Sequence, residues 1–128
     1  MPGRQRGRGR CGGRGLGRML EPALLLLLHH GPAHGYTLLE QLEPFGLSGL
    51  NPSVVYRALR EMEAREWVTS TWDEEETQGP PRRVYCIAAE GDDALRLWAE
   101  DLEETRQRID HLLTAYERHM EEGEGEHH

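Results

Sequence analysis

The sequence contains no lysine, so all 15 of its cationic side chains are arginines, and they stand against 23 acidic residues. Its two cysteines are too few for the disulfide framework of a small secreted domain. Its longest aliphatic run, Ala23–Leu28, is far shorter than the roughly 18 to 20 apolar residues of a membrane span. That run is also too short for a signal-peptide core. We therefore expect a soluble, cytoplasmic protein, and 128 residues suit one domain.

Charge is unevenly distributed along the chain. The first 20 residues hold six arginines and no acid, whereas residues 21–128 hold nine arginines against 23 acids, a net charge of −14. Residues 1–18 consist almost entirely of glycine and arginine without an apolar period, which predicts a disordered basic arm. Residues 121–128 are acidic and interrupted by glycine, which predicts a disordered tail.

Three short helices are predicted in the first half of the chain. The first runs from about Met19 to His30, and its leucine run is apolar all round, so it must be buried on more than one face. A partner subunit is one way to cover the excess. The second helix is predicted over Tyr36–Glu43. The third begins at Asn51, whose side chain can cap a helix, and Pro52, which suits a first turn; it ends near Arg65.

The third helix has two distinct faces. One is apolar at spacings of i, i+3, i+4 and i+7, which predicts a core-facing stripe. It comprises Val55, Ala58, Leu59 and Met62. The other is a regular polar stripe on a different side of the same helix. It comprises Ser53, Tyr56, Arg57 and Arg60.

The second half of the chain predicts a β-hairpin and a long helix. Residues 67–72 and 82–87 are rich in β-branched and aromatic residues, and the acidic loop between them contains breakers. Residues 90–120 carry an apolar seam that alternates spacings of three and four, as in coiled coils. A single helix cannot bury such a seam on a small domain, which predicts a homodimer. The predicted dimer-interface residues are Leu24, Leu27, Leu28, Leu95, Trp98, Leu102, Ile109, Leu112 and Tyr116.

This order of elements predicts a mainly α fold with a small β-hairpin. We expect a winged helix-turn-helix domain over residues 19–89, in which the hairpin is the wing. A C-terminal dimerisation helix is expected over residues 90–120.

Three motifs occur in order along the folded region: G-P-A-H-G-Y at Gly31–Tyr36, N-P-S-V-V-Y at Asn51–Tyr56 and G-P-P-R-R-V-Y at Gly79–Tyr85. In these motifs the sequence resembles the PadR family of bacterial transcriptional regulators over about residues 19–118. The resemblance implies a dimeric DNA-binding repressor that releases its operator when an effector binds. Such a protein is not an enzyme, and we expect no cofactor. The family usually has glycine where Glu66 stands.

The predicted third helix is the candidate recognition helix. One face of a helix presents side chains to base edges in the major groove, where arginine reads guanine or holds phosphate. The wing arginines would lie along the backbone or the minor groove, and the arginines of the N-terminal arm could follow a groove. The acidic body opposes DNA binding, so we expect a steep salt dependence. The predicted DNA contacts are His34, Tyr36, Asn51, Ser53, Val54, Tyr56, Arg57, Arg60, Arg82 and Arg83.

The effector is less well indicated than the DNA contacts. In multidrug-binding relatives, aromatic ligands stack at the dimer interface, which by resemblance indicates Trp72, Trp98 and Leu102. The leucine-rich opening and the W-A-E-D-L-x-x-T-R segment at Trp98–Arg106 also resemble a subgroup of polyhydroxybutyrate-responsive repressors.

Other classes of function remain as alternatives. The acidic charge suits a protein-interaction dimer that has the winged fold but does not bind DNA, and a small-ligand carrier is a further alternative. We predict no metal site, because the seven histidines show no ligand spacing. Cys11 lies among arginines that favour its thiolate, which suits a redox sensor, but it has no obvious resolving partner. No catalytic motif occurs.

Overall fold

The computed structural model describes residues 11–47, 49–73 and 82–126, with side chains from Met19 to Gly123 within those ranges. The elements are α1 (Cys11–His30), β1 (Ala33–His34), α2 (Gly35–Gln41), a 3-10 turn (Glu43–Phe45), α3 (Pro52–Ala64), β2 (Val68–Asp73), β3 (Arg82–Ile87) and α4 (Ala89–Glu126). Helices dominate, and the small sheet supplies the wing, so the fold is the predicted winged helix-turn-helix followed by a long helix.

The core forms around the leucine run of α1, which packs against α2, α3 and β3. Leu24 and Leu25 are fully buried there, and Leu28 is only 2% exposed. Elements of the same chain thus cover Leu24 and Leu28, whereas Leu26 is 37% exposed and Leu27 is partly exposed. The dimer-interface role of Leu24, Leu27 and Leu28 stays a prediction, and burial by their own chain argues against it for Leu24 and Leu28.

The sheet has three antiparallel strands in the order β1–β3–β2. In β1, Ala33 pairs with Tyr85 and His34 pairs with Val84, so the G-P-A-H-G-Y motif contributes an edge strand to the wing. The sequence predicted only the hairpin, because two residues are too short to show an alternating pattern.

Both ends of α3, the candidate recognition helix, are closed by local hydrogen bonds. At its start, the Asn51 side chain accepts a hydrogen bond from the Ser53 backbone N–H, as a capping residue does. At its end, the N–H of Trp67 donates to the carbonyl of Met62, and Glu66 is left-handed with φ +67°. This is the Schellman arrangement. Glu66 therefore adopts the left-handed conformation that glycine usually adopts at this position. The helix ends at the same place as it would with glycine there.

Two helices extend beyond their predicted limits. The backbone of α1 is helical from Cys11 rather than Met19, and α4 continues to Glu126 rather than Met120. Both glycine and proline are unfavourable inside a helix, and α1 contains four glycines between Cys11 and Arg18 as well as Pro22, which is why the sequence predicted a later start. Residues 11–18 of the predicted arm and 121–126 of the predicted tail have a helical backbone in the structure, and the other residues of both segments, 1–10 and 127–128, lie outside the described residues. The disorder of the arm and the tail stays a prediction.

The contacts divide the chain into two units, Met1–Leu95 and Arg96–His128, and α4 crosses the boundary between them. The first unit contains the winged helix, and the second contains most of α4. None of the helices described is both long and apolar enough to cross a membrane.

Candidate nucleic-acid interface

Helix α3 presents one buried and one exposed face. The apolar stripe predicted for the core is buried, with Val55, Leu59 and Met62 fully so. On the opposite side, Ser53, Arg57 and Arg60 are exposed. Val54, beside them, is 38% exposed. The helix therefore has a continuous outer surface of small polar and cationic side chains, which is the form of surface that a major groove accepts.

Asn51 has a structural role at the start of this surface. Its Oδ1 accepts hydrogen bonds from both the backbone N–H and the hydroxyl of Ser53, each at 2.9 Å. This oxygen is therefore engaged in capping the helix. The DNA contact predicted for Asn51 stays a prediction, and the hydroxyl oxygen of Ser53 keeps lone pairs for an outside donor.

The ring of Tyr56 lies directly against the backbone of Gly35 at the start of α2. A Cβ atom built on Gly35 would stand 2.4 Å from Cε1 of Tyr56 and 2.9 Å from its Cζ. Glycine at position 35 is therefore what allows the second and third helices to approach this closely. Two residues of separate sequence motifs form one contact in the folded chain.

An open cleft of about 580 Å³ is formed by side chains of α3 and the wing. Its wall contains Tyr85, which is 3% exposed. Burial raises the pKa of the Tyr85 hydroxyl above its ordinary value, although the nearby Arg83 acts in the opposite direction. Tyr85 is therefore a neutral hydroxyl at ordinary pH. The cleft is lined by Tyr56, Arg60, Glu63, Ala64, Arg83 and Tyr85.

A chain of polar contacts crosses from α3 to the wing beside this cleft. The Ser70 hydroxyl donates to Oε2 of Glu63 at 2.8 Å and accepts from Nη1 of Arg83 at 2.7 Å. The Arg83 guanidinium also lies over the ring of Trp72, 4.6 Å from its centroid. Trp72 pairs with Arg83 across the strands, and Ser70 pairs with Tyr85, so these side chains share one face of the hairpin.

Sequence reasoning placed Arg83 in the interface but missed Glu63 and Ser70. Glu63 belongs to neither of the two stripes used for α3, and a single serine in a strand carries no functional signal. The pairing register of the hairpin, together with the packing of α3 on β2, brings the two together.

Three other predicted contacts differ in their surroundings. Tyr36 is 62% exposed, and Arg82 is exposed at the start of β3. His34, by contrast, places Nε2 3.2 Å from Oδ2 of Asp73, and both side chains are largely covered. This pairing argues against the phosphate contact predicted for His34, because the carboxylate occupies its ring nitrogen and would repel an anion.

In the second unit, α4 carries an exposed apolar stripe. At 100° per residue, its members lie within about 100° of one another around the helix. They are Ile109, Leu112, Leu113, Tyr116 and Met120, each at least 44% exposed. Trp98 and Leu102, predicted at the effector site, continue the same stripe towards the start of the unit and are partly exposed.

Trp72, the third residue predicted at the effector site, belongs to the first unit and is 55% exposed beneath Arg83. Among the described residues, no three histidine, cysteine, aspartate or glutamate side chains are grouped to hold a metal ion. The side chain of Cys11 lies outside those described.

An exposed recognition-helix face, a neighbouring wing with cationic side chains and a cleft between them define a winged helix-turn-helix protein of the DNA-binding class. The model of the PadR-like family of transcriptional regulators matches residues 24–97. The chain therefore belongs to this family, whose fold implies DNA-binding regulation. The match includes the leucine run, α3, both wing strands and the start of α4.

Solved structures agree with this assignment. A conserved protein of unknown function, described as a potential transcriptional factor, is 31% identical with a TM-score of 0.69, covering 91% of this chain and 99% of its own. A transcriptional regulator from Thermoplasma acidophilum is 29% identical, with a TM-score of 0.69 and coverage of 79% and 96%. A PadR-like transcription factor from Bacteroides fragilis is 26% identical, with a TM-score of 0.65 and coverage of 82% and 99%. No curated protein sequence matches the chain.

Proposed function

We propose that the protein is a homodimeric repressor that binds its operator through α3 and the wing. The observation that carries this proposal is the shared surface of the two elements. Arg57 and Arg60 are exposed on α3, and Arg83 of the wing lines the same cleft as Arg60. If α3 lies in the major groove and the wing lies towards the adjacent minor groove, a sugar–phosphate backbone must pass between α3 and the wing, because that backbone separates the two grooves.

Each side chain has a distinct role in this proposal. Arg57 and Ser53 face base edges, where arginine can bond guanine through two donors. Val54 is the apolar neighbour that a thymine methyl group can contact. Arg60, Arg83 and the exposed Arg82 hold phosphates, which position the protein without reading sequence.

The homodimer rests on the exposed stripe of α4. Large apolar side chains that are half exposed along one face of a helix are typical of an interaction surface. A second copy presents the same seam, so an isologous pairing buries both. Two recognition helices in one dimer then match two half-sites of an operator.

Release by an effector completes the proposal. An effector bound near Trp98 and Leu102, on the seam of α4, would alter the spacing of the two recognition helices. It acts only if it binds the DNA-free arrangement more tightly than the DNA-bound one. Aromatic compounds that lower operator affinity in titrations of the complex would support this step, whereas compounds that bind without changing that affinity would contradict it.

The test is fluorescence anisotropy with DNA from upstream of the chain's own gene and a scrambled duplex, at roughly 50 and 200 mM salt. We expect preference for the upstream DNA and a loss of affinity by orders of magnitude between the two salts. The double variant Arg57→Ala with Arg83→Ala should weaken binding roughly tenfold or more. Its matched control removes the same charge from α4, as Arg108→Ala with Arg118→Ala, and should change affinity little.

Equal and weak binding to both duplexes by a folded dimer would contradict the repressor. It would favour the protein-interaction dimer, for which the exposed α4 stripe and the acidic charge are the supporting observations.

A further inference from the structure

Arg83 is held in place by three neighbours that have no role in the function proposed above. Its Nη1 donates to the Ser70 hydroxyl, which donates in turn to the carboxylate of Glu63. Its guanidinium carbon lies over the ring of Trp72, 4.6 Å from the ring centroid. An exposed arginine ordinarily loses much rotamer freedom when it binds, so a side chain that is already fixed binds a phosphate at a lower entropic cost.

We infer that Glu63, Ser70 and Trp72 are positioning residues that fix Arg83 at the α3–wing cleft for a DNA phosphate. The inference rests on the proposed DNA contact of Arg83 and extends it to residues that touch no DNA. Because Glu63 belongs to α3 and the other three to the wing, the contacts also tie the position of the wing cation to the recognition helix.

Glu63 makes this inference testable by the sign of an effect. A carboxylate that lines a cleft for DNA repels phosphate, so charge alone predicts that its removal tightens binding. The positioning role predicts that removal of Glu63 weakens binding. Without the Glu63 carboxylate the Ser70 hydroxyl has lost the acceptor that orients it, so it no longer holds Arg83 in place. The exposed Glu61, on the same helix, provides a control with the same change in charge.

The experiment measures the affinity of the full chain for a fluorescent duplex of roughly 30 bp, about three helical turns, from upstream of its gene. Glu63→Ala should bind roughly three- to tenfold more weakly than the unaltered chain, whereas Glu61→Ala should bind equally or slightly more tightly. Ser70→Ala and Trp72→Ala should behave like Glu63→Ala. Trp72→Phe, which keeps an aromatic face, should restore most of the affinity.

A double-mutant cycle separates positioning from a general structural effect. In an Arg83→Ala background, Glu63→Ala should cause no further weakening, because the group through which it acts is gone. The slope of log K against log salt should become shallower by about 0.9 in Arg83→Ala, because one phosphate contact is lost. In Glu63→Ala the same slope should also become shallower. Thermal unfolding of each variant establishes that it is folded at the assay temperature.

The outcomes distinguish this inference from the proposed function. If Arg83→Ala binds like the unaltered chain, the DNA contact itself is wrong and the positioning role falls with it. If Arg83→Ala weakens binding but Glu63→Ala does not, or if Glu63→Ala weakens it equally in both backgrounds, only the positioning role is overturned. Should Glu63→Ala not fold, Ser70→Ala and the two Trp72 variants decide by the same criteria.

Discussion

Gly35 and Tyr56 form a contact that leaves no room for a Cβ atom at position 35 while the Tyr56 ring keeps its place. The Tyr56 ring occupies the place where a Cβ atom would stand, with Cε1 only 2.4 Å from it. Gly35 begins α2 and Tyr56 lies on the second turn of α3, so this contact fixes the approach of the two helices of the helix-turn-helix.

Gly35→Ala should therefore destabilise the fold by about 1–3 kcal/mol, since the ring or a helix must shift. Urea unfolding measures this change. Gly31→Ala is the matched control, because its added methyl group meets nothing within 4 Å. The cost at Gly35 should largely disappear in a Tyr56→Ala background; an equal cost there would show that the ring is not the cause.

Glu66→Gly should stabilise the protein by about 1 kcal/mol. Glu66 has φ +67°, a left-handed conformation that glycine adopts without the steric cost of a Cβ atom. Ala64→Gly, two residues earlier and within the helix, should instead destabilise by about 0.5–1 kcal/mol. Thermal unfolding of the two variants should thus give shifts of opposite sign, and a lowered unfolding temperature for Glu66→Gly would contradict the account.

Gly91→Ala should be among the most damaging alanine substitutions in the chain. A Cβ atom there would stand 2.1 Å from the carbonyl oxygen of Trp67 and 2.8 Å from Cγ1 of Ile87. Backbone cannot yield as a flexible side chain does, so we expect a loss of about 3 kcal/mol or failure to fold. Gly123→Ala, in the same helix with open space around it, should be neutral or stabilising by up to about 1 kcal/mol.

Leu112→Glu should dissociate the proposed homodimer. Leu112 is 71% exposed on the apolar stripe of α4, so a carboxylate there would be buried twice at a symmetric seam. Sedimentation equilibrium should show dimer affinity reduced roughly tenfold or more. Thr114→Glu adds the same charge about 160° from Leu112 around the helix and should leave the dimer intact. Equal behaviour of the two variants would place the interface elsewhere.

Tyr85→Phe should change the alkaline limb of the stability profile. Burial raises the pKa of Tyr85 above its ordinary value of 10.0, so the unfolded chain loses this proton at lower pH than the folded one. The associated stability is present below about pH 10 and is lost as pH rises through the higher folded-state pKa. Urea unfolding between roughly pH 8 and 11 should therefore show a shallower decline for Tyr85→Phe. Identical declines would mean that the hydroxyl titrates normally.

Much of the fold could be predicted because its patterns are local. The 3.6-residue period of Val55, Leu59 and Met62 identified the buried face of α3, and Asn51–Pro52 identified its start. The limits of α1 and α4 were less predictable, since helix propagation through glycine depends on the stability of neighbouring turns. The burial of Leu24 and Leu28 by their own chain was not predictable either, because a leucine covered by its own chain and one covered by a partner look alike in sequence.

The sequence by itself determined the order of the helices and the hairpin and the polar stripe on α3, because these are carried by spacing along the chain. It indicated the family through the residues of three short motifs in order. Only the tertiary structure decided which side chains meet. The pairing of Trp72 with Arg83, the bridge from Glu63 through Ser70 and the contact of His34 with Asp73 all depend on strand register and helix packing. Those contacts join residues up to 39 positions apart, a separation over which no periodic pattern carries information.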